Sequence, residues 1–428
     1  MRQEKSRFIA SVAVSLIVAA LVVAPGAWAA STFKILHVFR RSSGGQGPRG
    51  TLVSDAAGNL YGTTVYGGSS SCPPCGVVFK LAPNPDGTWT EHVLHRFTGG
   101  TDGEGPFAGV ILDAAGNLYG TTDYLGSSSC ACGVVFKLAP NPDGTWTEHV
   151  LHRFLAGTDG SNRSNGDPTP SAGVILDAAG NLYGTTYFGG SGGWGTVFKL
   201  MPNPDGTWTE HLLHRFTGGT DGADPSAGVI SDATGNLYGT TQYGGSGGLG
   251  TVFELMPNPD GTWTEQVLYS FTGGTDGTIC AACAVAANPV AGVILDAAGN
   301  LYGTAQFGGA PSSCVCGAVF KLAPNPDGTW TEHVLHRFTD ADGAYPSAGV
   351  ILDAVGNLYG TTEGGGVGYG VVFELSRRAS GGWSERVLHT FLGYGAGPEA
   401  GLLRGASGNL YGTASGGTSG GLVFEIKP

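Results

Sequence analysis

Short apolar and β-branched runs recur along the chain, and glycine, proline, asparagine or aspartate separates each run from the next. One copy of this pattern spans residues 109–154 and contains four runs, at 109–113, 118–122, 133–138 and 145–154. Runs of this type bounded by turn residues are typical of antiparallel strands, and almost no window carries the apolar period of a helix. Each copy is therefore predicted to be a four-stranded antiparallel meander.

A hexapeptide, Gly-Asn-Leu-Tyr-Gly-Thr, marks the copies and occurs seven times. It lies at residues 58–63, 116–121, 180–185, 235–240, 299–304, 356–361 and 408–413. A small sheet buries both of its faces only when neighbouring sheets stack on it, and a long period that carries several strands is typical of a toroidal repeat. The fold predicted is all-β, a seven-bladed β-propeller.

The two ends of the chain hold complementary parts of one blade. Residues 32–39 match the fourth run of other copies, for example residues 90–97, whereas the last unit, residues 401–426, has three runs and no fourth. An open solenoid would not need this division. We therefore expect the N-terminal strand to complete the last blade, and residues 30–428 to form a single propeller domain.

The first 29 residues have the pattern of a secretory signal peptide. Cationic residues precede an apolar run at 8–23, and Ala27-Trp28-Ala29 forms a small-x-small cleavage site. No later stretch approaches the roughly 20 apolar residues of a membrane span. We expect a monomer that is secreted or periplasmic and that is cleaved near Ala29. The net charge of −12 repels phosphate backbones, which argues against nucleic acid as a partner.

The repeated segments resemble a known family. The motifs LHxF, DGxxPxAGVILD, GNLYGTT and GTVFKL are similar to the GloVer (Gloeo/Verruco) tandem repeat of secreted bacterial proteins, over about residues 32–427. The resemblance implies a propeller-like fold and no assigned biochemical function. It also implies that a C-terminal surface anchor often follows; because the sequence ends directly after its last strand pattern, we expect this chain to depart from the family in that respect.

A residue that recurs in every repeat is expected first to serve the structure of the repeat and not a single functional site. All ten histidines fall in the fourth strand or its N-terminal equivalent, in two positions that other copies fill with Tyr, Lys, Gln or Arg, so we interpret them as structural. Aspartates before Gly or at the turns are interpreted as turn caps. Because several acidic loops lie on one rim, Ca²⁺ binding is kept as a hypothesis, although no loop has the ligand spacing of a calcium site. We expect no other cofactor.

Differences between copies are concentrated in two connections, from the fourth strand to the next first strand and from the second strand to the third. In a meander these connections lie on the same rim, which is how a rigid scaffold presents a binding face. Aromatic side chains there suit stacking on a glycan or contact with a peptide or protein. The ligand-binding candidates are Tyr66, Tyr124, Tyr187, Phe188, Trp194, Tyr243 and Phe307. The alternative interpretation is that these rings cover the ends of the blades.

Two further functions remain open. Asp123 and Glu363 occupy equivalent positions after the second strand and are weak catalytic candidates, because a carboxyl pair can share acid and base work. They would make the protein a polysaccharide- or lactone-acting enzyme with carboxylates, or a carboxylate-held metal, in the central channel. No nucleophile or metal-histidine motif accompanies them. The third hypothesis is a structural surface protein without a small ligand.

The eight cysteines form four close pairs on the same rim. In a secreted chain an even number predicts disulfides, either within each pair or between neighbouring pairs, with zinc as the alternative. The pairs are Cys72 with Cys75, Cys130 with Cys132, Cys280 with Cys283, and Cys314 with Cys316. Disulfides here would brace glycine-rich loops whose ordering is otherwise entropically costly.

Overall fold

A computed structural model describes most of the chain after the predicted signal peptide. It covers residues 31–40, 44–68, 75–124, 132–155, 169–272, 288–308, 315–393, 397–416 and 420–428. Ser31–Pro428 forms one compact unit. Every regular element in the described residues is a β-strand, and there are 28 of them.

Four strands make each blade. The first strands, nearest the central axis, are β2 (Val53–Ser54), β6 (Ile111–Leu112), β10 (Ile175–Leu176), β14 (Ile230–Ser231), β18 (Ile294–Leu295), β22 (Ile351–Leu352) and β26 (Leu403–Arg404). The second strands are β3 (Leu60–Thr64), β7 (Leu118–Thr122), β11 (Leu182–Thr186), β15 (Leu237–Thr241), β19 (Leu301–Ala305), β23 (Leu358–Thr362) and β27 (Leu410–Ala414). The third strands are β4 (Val77–Pro83), β8 (Val134–Pro140), β12 (Thr196–Pro202), β16 (Thr251–Pro257), β20 (Ala318–Pro324), β24 (Val371–Arg377) and β28 (Leu422–Lys427). The fourth strands are β1 (Thr32–Val38), β5 (Trp89–Arg96), β9 (Trp146–Arg153), β13 (Trp208–Arg215), β17 (Trp263–Ser270), β21 (Trp330–Arg337) and β25 (Trp383–Thr390).

The chain closes into a ring as the sequence predicts. Seven four-stranded antiparallel sheets are present, and the seventh has the order β1-β28-β27-β26. Ile35 of β1 lies opposite Phe424 of β28, and the register shifts by one residue between Ile35 and His37. The fold is a seven-bladed β-propeller whose last blade joins the two ends of the chain.

The repeated hexapeptide combines a turn with a tightly packed strand. Asp113 Oδ1 accepts hydrogen bonds from the backbone N–H groups of Ala115 (2.9 Å) and Asn117 (2.8 Å), which holds the turn before β7. In that strand a β-carbon on Gly120 would lie 2.6 Å from Cζ of Phe136. Since Phe136 is fully buried, only glycine fits beside it. The second glycine of the motif therefore serves packing.

A threonine hydroxyl of each blade donates a hydrogen bond to a backbone carbonyl of the next blade. Thr185 Oγ1, for example, lies 2.9 Å from the Ala227 carbonyl oxygen. The ring closes in the same way, since Thr413 Oγ1 of blade 7 lies 3.4 Å from the Gly50 carbonyl oxygen of blade 1. The other five donors are Thr63, Thr121, Thr240, Thr304 and Thr361. These bonds are repeated around the ring and link each blade to the next.

The histidines of the fourth strands contact acidic groups or rings beside them. His95, His214 and His336 approach aspartates in the following loops at 3.6, 3.4 and 3.1 Å. Others reach across to the next blade, as where the His389 ring stacks on Phe33 with ring centroids 3.6 Å apart. These contacts agree with the structural interpretation of the histidines.

Candidate functional site

Both variable connections lie on one rim, which we call the loop face. Backbone bridges join them directly in four blades, with Gln46 opposite Tyr66, Glu104 opposite Tyr124, Ala223 opposite Tyr243 and Ala344 opposite Gly364. The connection that enters a blade is therefore hydrogen-bonded to the connection that follows its second strand. This arrangement is the one expected from the positions of the insertions.

The central channel is lined mainly by small residues. Its cavity has a volume of about 530 Å³, and most blades contribute an Ala-Gly pair that precedes the first strand. The pairs are Ala108-Gly109, Ala172-Gly173, Ala227-Gly228, Ala291-Gly292, Ala348-Gly349 and Ala400-Gly401, with Gly50-Thr51 in blade 1. The charged residues among this lining are Arg49 and Glu399, which form an ion pair of 3.0 Å. The carboxylates predicted for the channel, Asp123 and Glu363, are not part of its lining.

The loop-face end of the channel is built from three positions per blade, and we call these residues the channel mouth. The before-proline position holds Gly47, Gly105, Thr169, Asp224, Asn288, Tyr345 and Gly397. The after-proline position holds Arg49, Phe107, Ser171, Ser226, Val290, Ser347 and Glu399. The strand-end position, after each second strand, holds Val65, Asp123, Tyr187, Gln242, Gln306, Glu363 and Ser415.

One backbone bond fixes the mouth in the same way in all seven blades. The N–H of the strand-end residue donates to the carbonyl of the before-proline residue, at 3.1 Å from Asp123 to Gly105 and 3.0 Å from Glu363 to Tyr345. The backbone is thus repeated while the side chains differ from blade to blade. Side chains that the scaffold does not require to be alike are where a specific function can be placed.

A pocket of about 340 Å³ opens between blades 5 and 6, and we call it the blade 5–6 pocket. It is lined by Gln306, Phe307, Tyr345, Glu363 and Gly364. The rings of Phe307 and Tyr345 meet edge to face with centroids 5.7 Å apart. The amide and carboxylate are joined through a serine, because Gln306 Nε2 donates to Ser347 Oγ (3.0 Å), which donates to Glu363 Oε2 (2.8 Å).

Two departures from the repeat create this pocket. After the second strand, blade 6 has Gly364 where blades 1 to 5 have Tyr or Phe, and a β-carbon there would lie 3.2 Å from the Tyr345 ring. Tyr345 itself occupies a position that is glycine in three other blades, with φ of 59°. Left-handed backbone is unfavourable for a bulky residue and is often retained at functional sites.

The predicted aromatic candidates lie on the loop face. Tyr66, Tyr124, Phe188, Trp194 and Tyr243 are 39% to 44% exposed. Some of the candidates contact neighbouring side chains. Tyr187 packs edge to face on Phe188 (4.6 Å) and donates its hydroxyl to Gln242 Oε1 at 2.8 Å. Phe307 lies in the blade 5–6 pocket.

The two predicted carboxylates have different surroundings. Asp123 is only 7% exposed, its Oδ2 accepts a hydrogen bond from Ser171 Oγ at 3.4 Å, and burial raises its pKa to about 7. Glu363 is exposed and bonded to Ser347. A second buried carboxyl in the mouth is Asp224, also 7% exposed, and burial raises its pKa to about 6.

Family membership can be judged from the whole chain. The Gloeobacter/Verrucomicrobia repeat matches residues 26–168, 149–286 and 281–428. The chain belongs to this family. No curated protein matches the chain.

Solved structures match the chain at low identity. PorZ, an essential bacterial surface component of the type-IX secretion system of Porphyromonas gingivalis, matches with 16% identity, 89% coverage of this chain and a TM-score of 0.49. This chain spans about half of the PorZ chain, 47% of its length. The periplasmic gluconolactonase PpgL of Pseudomonas aeruginosa matches with 17% identity, 85% coverage of this chain, 94% coverage of its own and a TM-score of 0.47. Such likenesses assign no function. In the part of the chain that the structure describes, no helix is long and apolar enough to span a membrane.

Two mouth residues, Tyr345 and Asn288, are absent from the sequence-based candidates. Both stand at the before-proline position and both have positive φ, 59° and 53°. Aligning the seven copies would have shown the signal, because blades 1, 2 and 7 place glycine there. A larger residue at a position that holds glycine in other copies is the departure that would have singled out these two residues.

The described cysteines share one structural position, two residues before the third strand. Cys75, Cys132 and Cys316 are nearly fully buried. In blades 3 and 6 the same position holds Trp194 and Tyr369. The other cysteines lie outside the described residues: Cys72, Cys130, Cys280, Cys283 and Cys314. The disulfide pattern therefore stays a prediction. Among the described residues, no group of three or more His, Cys, Asp or Glu side chains is placed to hold a metal ion, and calcium likewise stays a prediction.

Proposed function

We propose that the protein is a secreted, non-catalytic propeller that binds an extracellular glycan at the channel mouth, with one sugar unit in the blade 5–6 pocket. The observation that carries the proposal is this pocket itself. Between blades 5 and 6 the backbone keeps the repeat, but Tyr345 and Gly364 replace the side chains that most other blades hold at these positions, and the cavity there has two aromatic walls.

The lining has the chemistry that a sugar requires. Aromatic faces pack against the C–H faces of a pyranose, and amide, hydroxyl and carboxylate groups bond its hydroxyls. Phe307 and Tyr345 supply the rings, while Gln306 and Glu363 supply acceptors and donors already oriented by Ser347. A volume of about 340 Å³ lies at the small end of the range for ligand pockets, so it accommodates one unit of a longer chain.

The test is binding of the mature protein, residues 30–428, to an array of extracellular polysaccharides, followed by calorimetry on the ligands found. We expect Phe307→Ala to weaken binding by about tenfold or more, which corresponds to roughly 1.4 kcal/mol. Tyr66→Ala is the matched control, since Tyr66 has a similar place in blade 1, outside the pocket. Binding that survives both Phe307→Ala and Glu363→Gln would refute the pocket, and binding of peptides but of no glycan would refute the ligand class.

A second candidate function rests on Asp123. A buried carboxyl with a pKa of about 7 is partly protonated near neutral pH and is suited to act as a general acid. The enzyme hypothesis predicts turnover of a polysaccharide or a lactone that Asp123→Asn abolishes. A screen of both substrate classes that finds no turnover by the wild-type protein removes it.

A further inference from the structure

We propose that a second site, at the junction where the ring closes, binds a compact oxyanion, the carboxylate or sulfate group of a small ligand. A cavity of about 450 Å³ lies there between β1 of blade 7 and β5 of blade 1, and we call it the closure pocket. It shares no residue with the blade 5–6 pocket, so the inference does not depend on the proposed glycan binding. The lining includes His37, Arg40, Gly44, Glu91 and Arg96.

Two departures from the repeat determine the chemistry of the closure pocket. In blade 1 the loop after β5 is held by a threonine and an aspartate, because the Thr98 backbone N–H and hydroxyl donate to the Asp102 carboxylate at 2.9 and 2.6 Å. The same pairing holds the loops after β13 and β21. After β1 the two positions hold Arg40 and Gly44. The closing junction therefore has one carboxylate fewer and one guanidinium more.

The next residue of each loop supports this alignment. A β-carbon on Gly45 would collide with the Thr64 hydroxyl, and one on Gly103 would collide with the Thr122 hydroxyl, which are equivalent residues of blades 1 and 2. Both glycines have positive φ, 95° and 86°. The two loops thus approach their second strands in the same way, and the residue before each glycine occupies the same place.

The Glu91 carboxylate lies beside a histidine in the closure pocket. A β-carbon on Gly44 would lie 2.8 Å from Glu91 Oε2 and 3.0 Å from its Oε1, so this carboxylate occupies the space next to the glycine. The same Oε2 lies 3.4 Å from His37 Nε2, and the two side chains are 19% and 20% exposed. Glu91 therefore stands beside His37 much as Asp102 stands beside His95, at 3.6 Å.

The charge balance of the closure pocket favours an anion. Its lining sets two exposed guanidinium groups, on Arg40 and Arg96, against the single carboxylate of Glu91. Guanidinium groups only donate, and their planar fork matches a carboxylate or a tetrahedral oxyanion. The corresponding positions of two other junctions hold one arginine and two carboxylates, which are Arg215, Asp221 and Glu265 between blades 3 and 4, and Arg337, Asp342 and Glu385 between blades 5 and 6.

The size of the pocket and the charge of the whole protein narrow the ligand. A volume of about 450 Å³ is within the range of small-molecule pockets, so it accommodates a ligand the size of one sugar unit. The net charge of −12 repels a polyanion as it approaches. A ligand with one or a few anionic groups therefore suits the pocket better, and a uronic acid and a sulfated sugar share this chemistry.

The experiment compares three sugars that differ in one substituent. Sodium D-glucuronate, D-glucose 6-sulfate and neutral D-glucose are titrated into the mature protein, residues 30–428, by calorimetry at low ionic strength. We expect an anionic sugar to bind about tenfold or more tightly than glucose. Sodium chloride should weaken this binding, because it screens the charges of the two arginines. The tighter of the two anionic sugars identifies the group that the closure pocket prefers.

Two variants restore residues of the repeat, so each substitution already has a counterpart in other blades. Arg40→Thr removes one guanidinium group, and Gly44→Asp adds the carboxylate that blade 1 has at this position. Each should weaken binding of the anionic sugar by about tenfold or more. Arg153→Gln is the matched control, since Arg153 is an exposed arginine at the position of Arg96 in the next blade, and it should leave binding unchanged.

The outcomes separate this inference from the proposed function. Glucose that binds as tightly as both anionic sugars overturns the oxyanion. Binding of the anionic sugar that survives both Arg40→Thr and Gly44→Asp, or that Arg153→Gln weakens equally, overturns the closure pocket as its site. Failure of both anionic sugars to bind the folded protein overturns the inference and leaves the Phe307→Ala test of glycan binding untouched.

Discussion

Replacing Asp123 by asparagine should stabilise the protein in a way that depends on pH. The carboxyl is 7% exposed, it has one hydrogen bond of 3.4 Å, and burial raises its pKa from 3.8 to about 7. A difference of about three units, at about 1.4 kcal/mol per unit, amounts to about 4 kcal/mol. Asparagine has nearly the same shape and carries no charge to bury.

The sign follows from the direction of the shift. Below a pH of about 4 the carboxyl is protonated in both the folded and unfolded chains, so charge burial adds nothing to the effect of the substitution. Between about pH 4 and 7 the unfolded chain ionises first, and the wild type loses stability relative to Asp123→Asn. Above about pH 7 the difference reaches its full value of about 4 kcal/mol.

Urea denaturation followed by tryptophan fluorescence at about pH 4, 6 and 8 measures the difference. Asp113→Asn is the contrasting control. Burial raises the pKa of Asp113, but hydrogen bonds from Asn117, Tyr119 and Ala115 outweigh it and lower the pKa overall. Its contribution is therefore present above pH 3.8 and lost as the pH falls, so this variant should lose stability most at high pH. A free-energy difference for Asp123→Asn that is the same at all three pH values would refute the reasoning.

Three further predictions concern stability. Thr185→Val should lower the free energy of unfolding by about 1–3 kcal/mol in urea titrations, because the Ala227 carbonyl loses its inter-blade donor; no change would refute this role. Val367→Gly should raise the free energy of unfolding by about 1 kcal/mol, because Val367 is 93% exposed and has an unfavourable φ of 59°. Val355→Gly should lower the free energy of unfolding, because Val355 is 81% exposed and its φ is not positive. Glu385→Gln should raise the thermal midpoint at alkaline but not at acidic pH, because burial raises the Glu385 pKa to about 7; a shift that is equal at both would contradict it.

The fold could be predicted because the same pattern of strands and turns occurs seven times in the sequence. Each copy contains the strand runs, the turn residues and the glycine required for packing, as Gly120 against Phe136 shows. The unequal ends then determine the closure, and Ile35 lies opposite Phe424 as the missing fourth strand requires. Periodic hydrophobic patterns and turn residues are the sequence features from which structure is predicted most directly.

The sequence predicted which face of the propeller carries the candidate site, but not which residues come together there. Its contacts join residues of different blades, such as Phe307 with Tyr345 and Gln306 with Ser347, and no local pattern states how two blades meet. Burial was equally hidden, since Asp123 and Glu363 occupy the same position in two copies, yet the first is buried and the second is exposed. These differences depend on neighbouring loops that vary independently.

The separation between scaffold and mouth explains how such variation is tolerated. Blade contacts use a threonine hydroxyl and a backbone carbonyl, and the mouth is fixed by a backbone N–H and a backbone carbonyl, as from Gln242 to Asp224. None of these bonds uses a mouth side chain. Substitutions there change the surface without changing the ring, so an arginine, a serine or a glutamate can occupy one position in different blades. Tyr345, which departs from the repeat, can therefore serve the proposed binding function without any cost to the closure of the ring.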